Sequence, residues 1–413
     1  MNSATKEAII TLNNINDFDH LIQAIDNKKI IMIGDGSHGT DEFYKLRADL
    51  TKKLITEKGV NFIVIEWDWP DVYRINQYIN GVSNDKSSQQ SLDNITRFPL
   101  WMWRNQAVIE FIEWLKNYND VHPNNKVAIY GLDLYSLFKS MERIINYLVD
   151  KDNHLTNVAK FVYQRLTKNR NNQSSEDGSY SSDKQLLDGI NYLSNILMNS
   201  KIDDQLFDIQ QNLHLIRDAI QYYQNLDNDD LSWYLRDKHM YDTLIRLINY
   251  YHFKHNYYPT VVVWTHNSHM GDSYYIKEFS NSRVWNLAQF IRNDFGPNCF
   301  NIGFLTFNGT VTAATQWNSP MKTMTVPPAV SDSYEYLFHN LVHGNFILIF
   351  NNNSLTEQLL RPHKQRFIGA VYNHDQELKY HYFTTILPQE FNSIIFLDQT
   401  NAVIPLDRGS VTR

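Results

Sequence analysis

Eight short apolar runs, rich in β-branched residues and spread along the whole chain, limit its fold more than any other feature. They lie at Lys29–Gly34, Asn61–Glu66, Lys126–Leu132, Thr260–Thr265, Phe300–Thr306, Asn345–Phe350, Phe367–Tyr372 and Ser393–Leu397. A run of this length without polar alternation reads as a strand covered on both faces. Between the first two runs, Phe43, Leu46, Leu50 and Leu54 recur at helical spacing, so Lys29–Glu66 reads as one right-handed βαβ unit. The pattern predicts an α/β fold: a mostly parallel central sheet with helices on both faces.

From about residue 137 to 258 the strand pattern stops. Only helical stretches are found there, at Met141–Leu148, Gln185–Leu197, Asp204–Gln224 and Ser232–Tyr251. This segment is read as a long helical insertion in a single α/β domain covering 1–413. Within it, Asn169–Asp183 is polar, Ser-rich and without apolar periodicity, and is expected to be a mobile loop.

Charge and composition exclude some functions. A net charge of −7 with no long basic run argues against a nucleic-acid partner. No stretch reaches the roughly 18 apolar residues of a membrane span, and the first residues lack a basic leader with an apolar core, so no membrane partner and a cytoplasmic location are expected. The single cysteine, Cys299, fits a reducing compartment and reads as a packed core residue. The pattern leaves the oligomeric state open.

Four of the predicted strands end in residues capable of acid–base chemistry. The first leads to Asp35 and His38, the second to Glu66 and Asp68 with Trp67 and Trp69, the third to Asp133 and Tyr135, and the fourth to His266 and His269. Ligands of open α/β sheets bind beyond the carboxyl ends of the strands, so these groups are candidates for one crevice. Gly34, Gly36 and Gly39 permit a tight strand-to-helix turn around His38, and Thr40 is placed to cap the following helix. Arg47 lies one turn from Phe43, on or beside the buried face, where an unpaired charge is costly. Its guanidinium must reach a carboxylate, the substrate or water.

The spacing of His266 and His269 suits shared metal ligation if the segment is helical, and equally suits two structural histidines. Trp67, Trp101, Trp103 and Arg104 belong to aromatic blocks that could wall an apolar substrate cleft or simply pack in the core. The chain has no G-x-S-x-G elbow, phosphate loop or dinucleotide fingerprint, which disfavours a serine nucleophile and nucleotide chemistry.

Taken together, Gly34-Asp35-Gly36-Ser37-His38-Gly39-Thr40, Glu66-Trp67-Asp68-Trp69-Pro70, Arg97-Phe98-Pro99, Trp101-Met102-Trp103-Arg104-Asn105 and Tyr130-Gly131-Leu132-Asp133-Leu134-Tyr135-Ser136 resemble the erythromycin esterase family. Arg236-Asp237-Lys238-His239-Met240 and His266-Asn267-Ser268-His269-Met270-Gly271-Asp272 extend the resemblance. So do Gly309–Ala314, Ser333-Tyr334-Glu335 and His381-Tyr382-Phe383, in order along nearly the whole chain. The resemblance implies an α/β fold with a helical insertion and hydrolysis of an ester, which for the family's namesakes is an antibiotic macrolactone. It implies His38 as general base, Glu66 as its carboxylate partner, His266 and His269 as further active-site histidines, and Arg47 as an active-site arginine. One position departs from the family pattern: Asp35 stands where Glu is usual, one methylene shorter, so either the site is re-spaced or Asp35 has a lesser role.

The expected activity is an erythromycin-esterase-like carboxylic ester hydrolase acting on a small-molecule ester, with macrolide resistance as the associated biology. His38 would take a proton from water. His266, His269 or Arg47 would stabilise the oxyanion, and Trp67, Trp101, Trp103, Arg104, Asp133 and Tyr135 would line the substrate. No cofactor is needed. Two alternatives stay open: a divalent metal held by His38, Glu66, His266 and His269, or a non-catalytic homologue that only binds small molecules.

Overall fold

The computed structural model describes residues 9–171, 183–351 and 354–407. Eleven strands are found among them: β1 Ile9–Thr11, β2 Ile30–Ile33, β3 Phe62–Asp68, β4 Ala128–Asp133, β5 Val261–Trp264, β6 Cys299–Ala314, β7 Met321–Val326, β8 Phe346–Ile349, β9 His363–Arg366, β10 Tyr382–Thr385 and β11 Ser393–Thr400. Nine form one sheet in the order β1-β8-β11-β6-β2-β5-β3-β4, with β7 paired to β6. The run β11-β6-β2-β5-β3 is parallel throughout, whereas β8 and then β1 join antiparallel beyond β11 and β7 pairs antiparallel with the C-terminal part of β6. This is the predicted α/β architecture. Every residue of β2, β3 and β5 is buried, as unalternated apolar runs require.

The chain divides into two compact units. The first comprises Met1–Ile65, Arg74–Ile129 and His255–Arg413; the second comprises Glu66–Tyr73 and Tyr130–Lys254. The boundaries fall inside β3 and β4, so the strand-end residues Glu66, Asp68 and Asp133 belong to the second unit.

In the first unit, β2 and β3 flank the helix Asp41–Lys58 in sequence, but β5 lies between them in the sheet. The βαβ unit therefore skips one strand position, which a local pattern cannot show. The apolar run Phe367–Tyr372 is not a strand. It lies against neighbouring segments through isolated bridges of Ile368 to Ser37 and Val371 to Ala314, because its backbone groups serve the loop after β2 rather than a ladder. The run lies instead in the connection between the antiparallel pair β9 and β10, of which β9 is polar throughout. Cys299 is buried, as expected, at the start of β6.

The second unit is helical beyond its strand segments. Between residues 130 and 254 the described helices are Leu137–Leu148, Asn153–Asn171, Lys184–Met198, Asp204–Tyr223 and Asp229–His255, and Asn153–Asn171 is the one the periodicity does not pick out. Of the predicted mobile loop Asn169–Asp183, residues 172–182 lie outside the described residues. Asp183 caps the next helix, accepting from the Leu186 N–H at 3.0 Å. Trp69 stacks on Tyr130 at 5.2 Å and Phe207 on Tyr250 at 3.9 Å, fixing the strand ends and the long helices of this unit together.

Candidate functional site

In the first unit the loop Gly34–Thr40 carries the chain from β2 into the helix Asp41–Lys58, and its neighbours fasten it residue by residue. Gly34 N–H donates to Ile302 at 2.8 Å, His38 N–H to the Ile368 carbonyl at 3.0 Å, and Ile368 N–H to the Gly36 carbonyl at 2.9 Å. Asn267 N–H reaches the Asp35 carbonyl at 2.7 Å. The glycines serve close approach rather than an unusual φ: a Cβ on Gly39 would sit 1.8 Å from the Thr312 carbonyl oxygen, and one on Gly34 would sit 2.1 Å from Asn267 Oδ1. Thr40 does occupy the N-cap position, but its hydroxyl is engaged with that of Ser37 and makes no capping bond.

This packing brings four of the sequence-predicted residues together. His38 Nδ1 lies 3.2 Å from Asp35 Oδ1, and Arg47 Nη1 donates to Asp35 Oδ2 at 2.8 Å. The shorter carboxylate at position 35 thus spans a histidine and an arginine, and all three side chains are buried. Burial alone would push the Asp35 carboxyl up; the charges of His38 and Arg47 more than offset it and hold the group below the usual carboxylate range. Arg47 is 1% exposed, and its Nε and Nη2 find no hydrogen-bond acceptor among the described residues. Aromatic rings cover it instead: Trp264 at 4.8 Å, Tyr44 at 4.9 Å and Trp103 at 5.8 Å. Tyr44 also donates its hydroxyl to the His38 carbonyl at 2.7 Å.

His266 follows β5, and its ring centroid lies 4.7 Å from that of His38. It is the N-cap of the short helix Asn267–Met270, with Nδ1 accepting the Ser268 N–H at 3.3 Å and lying 2.8 Å from Ser268 Oγ. His269 is buried on that same turn. Asn267 joins the two strand ends, since its side chain donates to the Phe304 carbonyl at 2.8 Å while its N–H holds Asp35. Asn267, Ser268 and Tyr44 were not singled out from the sequence; nothing in local spacing announces which strand end an amide or hydroxyl will meet.

In the second unit, Glu66 and Asp133 converge on Arg236 of the helix Asp229–His255. Arg236 Nη2 donates to Glu66 Oε1 at 2.7 Å and to Asp133 Oδ2 at 2.8 Å, and Nε donates to Asp133 Oδ1 at 2.9 Å. The Tyr135 ring lies 5.3 Å from the guanidinium. Burial opposes the Arg236 charge, yet Asp133, Tyr135 and Glu66 raise its pKa well above the ordinary arginine value. Asp68 accepts from Tyr135 N–H and the Ser136 hydroxyl, both at 2.7 Å, which fixes the loop after β4. Gly131 allows the strand ends to touch, for a Cβ there would meet the Trp67 carbonyl oxygen at 2.4 Å.

The expected substrate-lining residues Trp67, Trp103 and Arg104 have definite structural partners. Trp67 is buried and donates to Asp71 at 3.1 Å. Trp101 and Trp103 are each 2% exposed, and in this conformation present almost no surface to a ligand. Trp103 supports Arg47 and stacks on Trp264 at 6.5 Å. Arg104 ties its loop to the C-terminal segment through Asp407, at 2.5 and 3.0 Å. Among the described residues no group of three or more His, Cys, Asp or Glu side chains is arranged to hold a metal ion, and no helix is long and apolar enough to cross a membrane.

Set beside known proteins, residues 55–400 match the family described as Erythromycin esterase, a span that begins after the His38 loop. Erythromycin esterase type II of Escherichia coli is 26% identical over 122 residues, 30% of this chain and 27% of that enzyme, so the chain aligns with little more than a quarter of that relative's length. Among solved structures, a succinoglycan biosynthesis protein superposes with a TM-score of 0.79 at 20% identity, covering 97% of this chain and 98% of the other. An erythromycin esterase mutant in its open conformation superposes with a TM-score of 0.67 at 15% identity, covering 97% of both chains. At these identities the structural likeness is one of fold.

Proposed function

Because the chain belongs to the erythromycin esterase family through residues 55–400, we propose that it is a carboxylic ester hydrolase in which His38 activates a water molecule. The observation that carries the reading is the buried Asp35, which meets His38 Nδ1 at 3.2 Å with one oxygen and Arg47 at 2.8 Å with the other. A carboxylate on Nδ1 leaves Nε2 as the basic nitrogen and stabilises the imidazolium formed when it takes a proton.

In this scheme His38 removes a proton from water as the oxygen attacks the ester carbonyl. The oxyanion collapses, the carbonyl–alkoxy bond breaks, and the leaving alkoxide takes the proton back from His38, giving an acid and an alcohol. No covalent ester on the protein is formed. Glu66, held by Arg236 at 2.7 Å, is the second carboxylate that the family resemblance makes essential. A macrolactone, the substrate of the family's namesakes, is the first compound class to try, followed by simple acyl esters.

The test is a hydrolysis screen of macrolides and aryl or alkyl esters with the native chain and His38→Ala. The native protein is expected to turn over at least one ester, and the variant to lose about 10²–10⁴-fold in kcat, the usual contribution of a positioned general base. Equal turnover by both proteins overturns the role of His38. In a single turnover in heavy-oxygen water, the label is expected in the released acid, and a labelled protein ester would overturn direct attack by water.

A further inference from the structure

We propose that Ser268 is a positioning residue that locks His266 in the Nε2–H tautomer, so that the two adjoining imidazoles of the first unit present opposite hydrogen-bonding characters. The Ser268 backbone N–H points at His266 Nδ1, at 3.3 Å, and a backbone N–H can only donate. Nδ1 is therefore an acceptor without a proton, the ring is neutral, and the proton is on Nε2. The Ser268 hydroxyl, 2.8 Å from the same nitrogen, must then donate as well. A proton on Nδ1 would break the cap that His266 supplies to the Asn267–Met270 turn, so the fold of this turn and the tautomer of the ring are coupled.

His38 is fixed the other way round. Its Nδ1 faces the Asp35 carboxylate, an acceptor, so Nδ1 keeps the proton and Nε2 carries the lone pair. The ring centroids are 4.7 Å apart. One ring accepts and its neighbour donates. Resting on the hydrolytic reading above, this assigns the oxyanion to His266 Nε2–H and the water to His38 Nε2. Ser268 sits on the far nitrogen of His266 and acts through it.

The tautomer is read without any substrate. In protein labelled with ¹⁵N-histidine, two-bond correlation spectra at neutral pH, with His266 identified from the spectrum of His266→Gln, are expected to show Nδ1 unprotonated and Nε2 protonated. A protonated Nδ1, or two averaged nitrogens, overturns the proposal. Ser268→Ala is expected to shift the pair toward averaging and to lower kcat on whichever ester the native chain hydrolyses by about tenfold, the value of one hydrogen bond, with KM unchanged. Ser268→Thr, which restores a hydroxyl, is expected to rescue both. A Ser268→Ala protein with native kcat, or one in which KM alone changes, overturns the positioning role. If the native chain hydrolyses no ester, the hydrolytic reading fails while the nitrogen spectrum still decides the tautomer.

Discussion

Asp35 carries more of the first unit's chemistry than its neighbours, because one buried carboxylate serves both an arginine and a histidine. Asp35→Asn keeps the shape and removes the charge, leaving Arg47 buried without its anion. The expected cost is about 3–5 kcal/mol in urea denaturation at pH 7, the range for breaking a buried pair by removing one partner. The same pair sets an acid limit. The Asp35 pKa is lower in the folded protein than in the unfolded chain, so its contribution is fully present above the ordinary Asp value and is lost as pH falls through the depressed folded value. Stability curves of native and Asp35→Asn protein should therefore converge at strongly acidic pH, and a constant gap would refute the account. Arg47→Lys should not substitute, since an ammonium cannot lie flat among Tyr44, Trp103 and Trp264; the midpoint of denaturation is expected to fall. Asp35, His38, Arg47 and His266 were legible in the sequence because each is an oddity in its local pattern: a polar group at a strand end or a charge on an apolar helix face. Asn267, Ser268 and Tyr44 are ordinary residues in their own segments. The pairing of β2 with β5 brings Asn267 to Asp35, Tyr44 turns back from the following helix onto the His38 carbonyl, and Ser268 meets His266 within its own turn.

Packing of the loop after β2 depends on elements far away in the chain. Thr312 N–H and Val403 N–H both donate to the Gly39 carbonyl, at 3.0 and 2.8 Å, and the Thr312 carbonyl crosses where a Gly39 side chain would be. Because that obstacle is backbone, Gly39→Ala cannot be relieved by a rotamer change. It is expected to cost about 3 kcal/mol, at the upper end for overpacking, and to expose the His38 amide to hydrogen exchange. Native-like protection at His38 in a folded variant would show that the loop does not depend on this contact. The same region explains why the apolar run Phe367–Tyr372 forms no strand. Its apolar composition is that of a buried strand, and it is buried: Phe367, Ile368 and Tyr372 are all inside. Yet its hydrogen bonds go to Gly36, His38 and Ala314 in turn, which is a brace rather than a ladder. Apolar pattern reports burial; it does not report which backbone groups will be satisfied by a neighbouring strand. The converse case is the β9–β10 pair, where His363–Arg366 pairs as a strand without any apolar run to announce it.

The second unit buries two titratable groups whose shifts act in opposite directions on stability, and this predicts how it responds to acid. In the second unit His214 is pushed down to about 3 by burial and by the charges of Arg246 and Arg217, whereas burial raises Asp71 to about 6 against the pull of Lys139. The signs oppose each other. His214 has a folded pKa below its unfolded value, so the unfolded chain takes the proton first and stability falls as pH drops from about 6.5 to about 3. Asp71 has a folded pKa above its unfolded value, so the folded chain takes the proton first and stability rises as pH drops from about 6 to about 4. Between pH 4 and 6 the two partly cancel, and removing either should uncover the other. His214→Gln is expected to raise the melting temperature at pH 4.5 by on the order of 2–4 °C relative to the native chain, the shift that about 1 kcal/mol gives in a unit of this size, and to leave it nearly unchanged at pH 8. Asp71→Asn keeps an acceptor for the Trp67 indole and should do the opposite, giving a protein whose stability only falls on acidification below pH 6. Hydrogen exchange followed separately over residues 130–171 and 183–254 and over the first unit assigns the effect: protection is expected to change in the second unit's helices. A uniform change through both units would mean that they unfold as one, and that these two side chains set the acid stability of the whole chain.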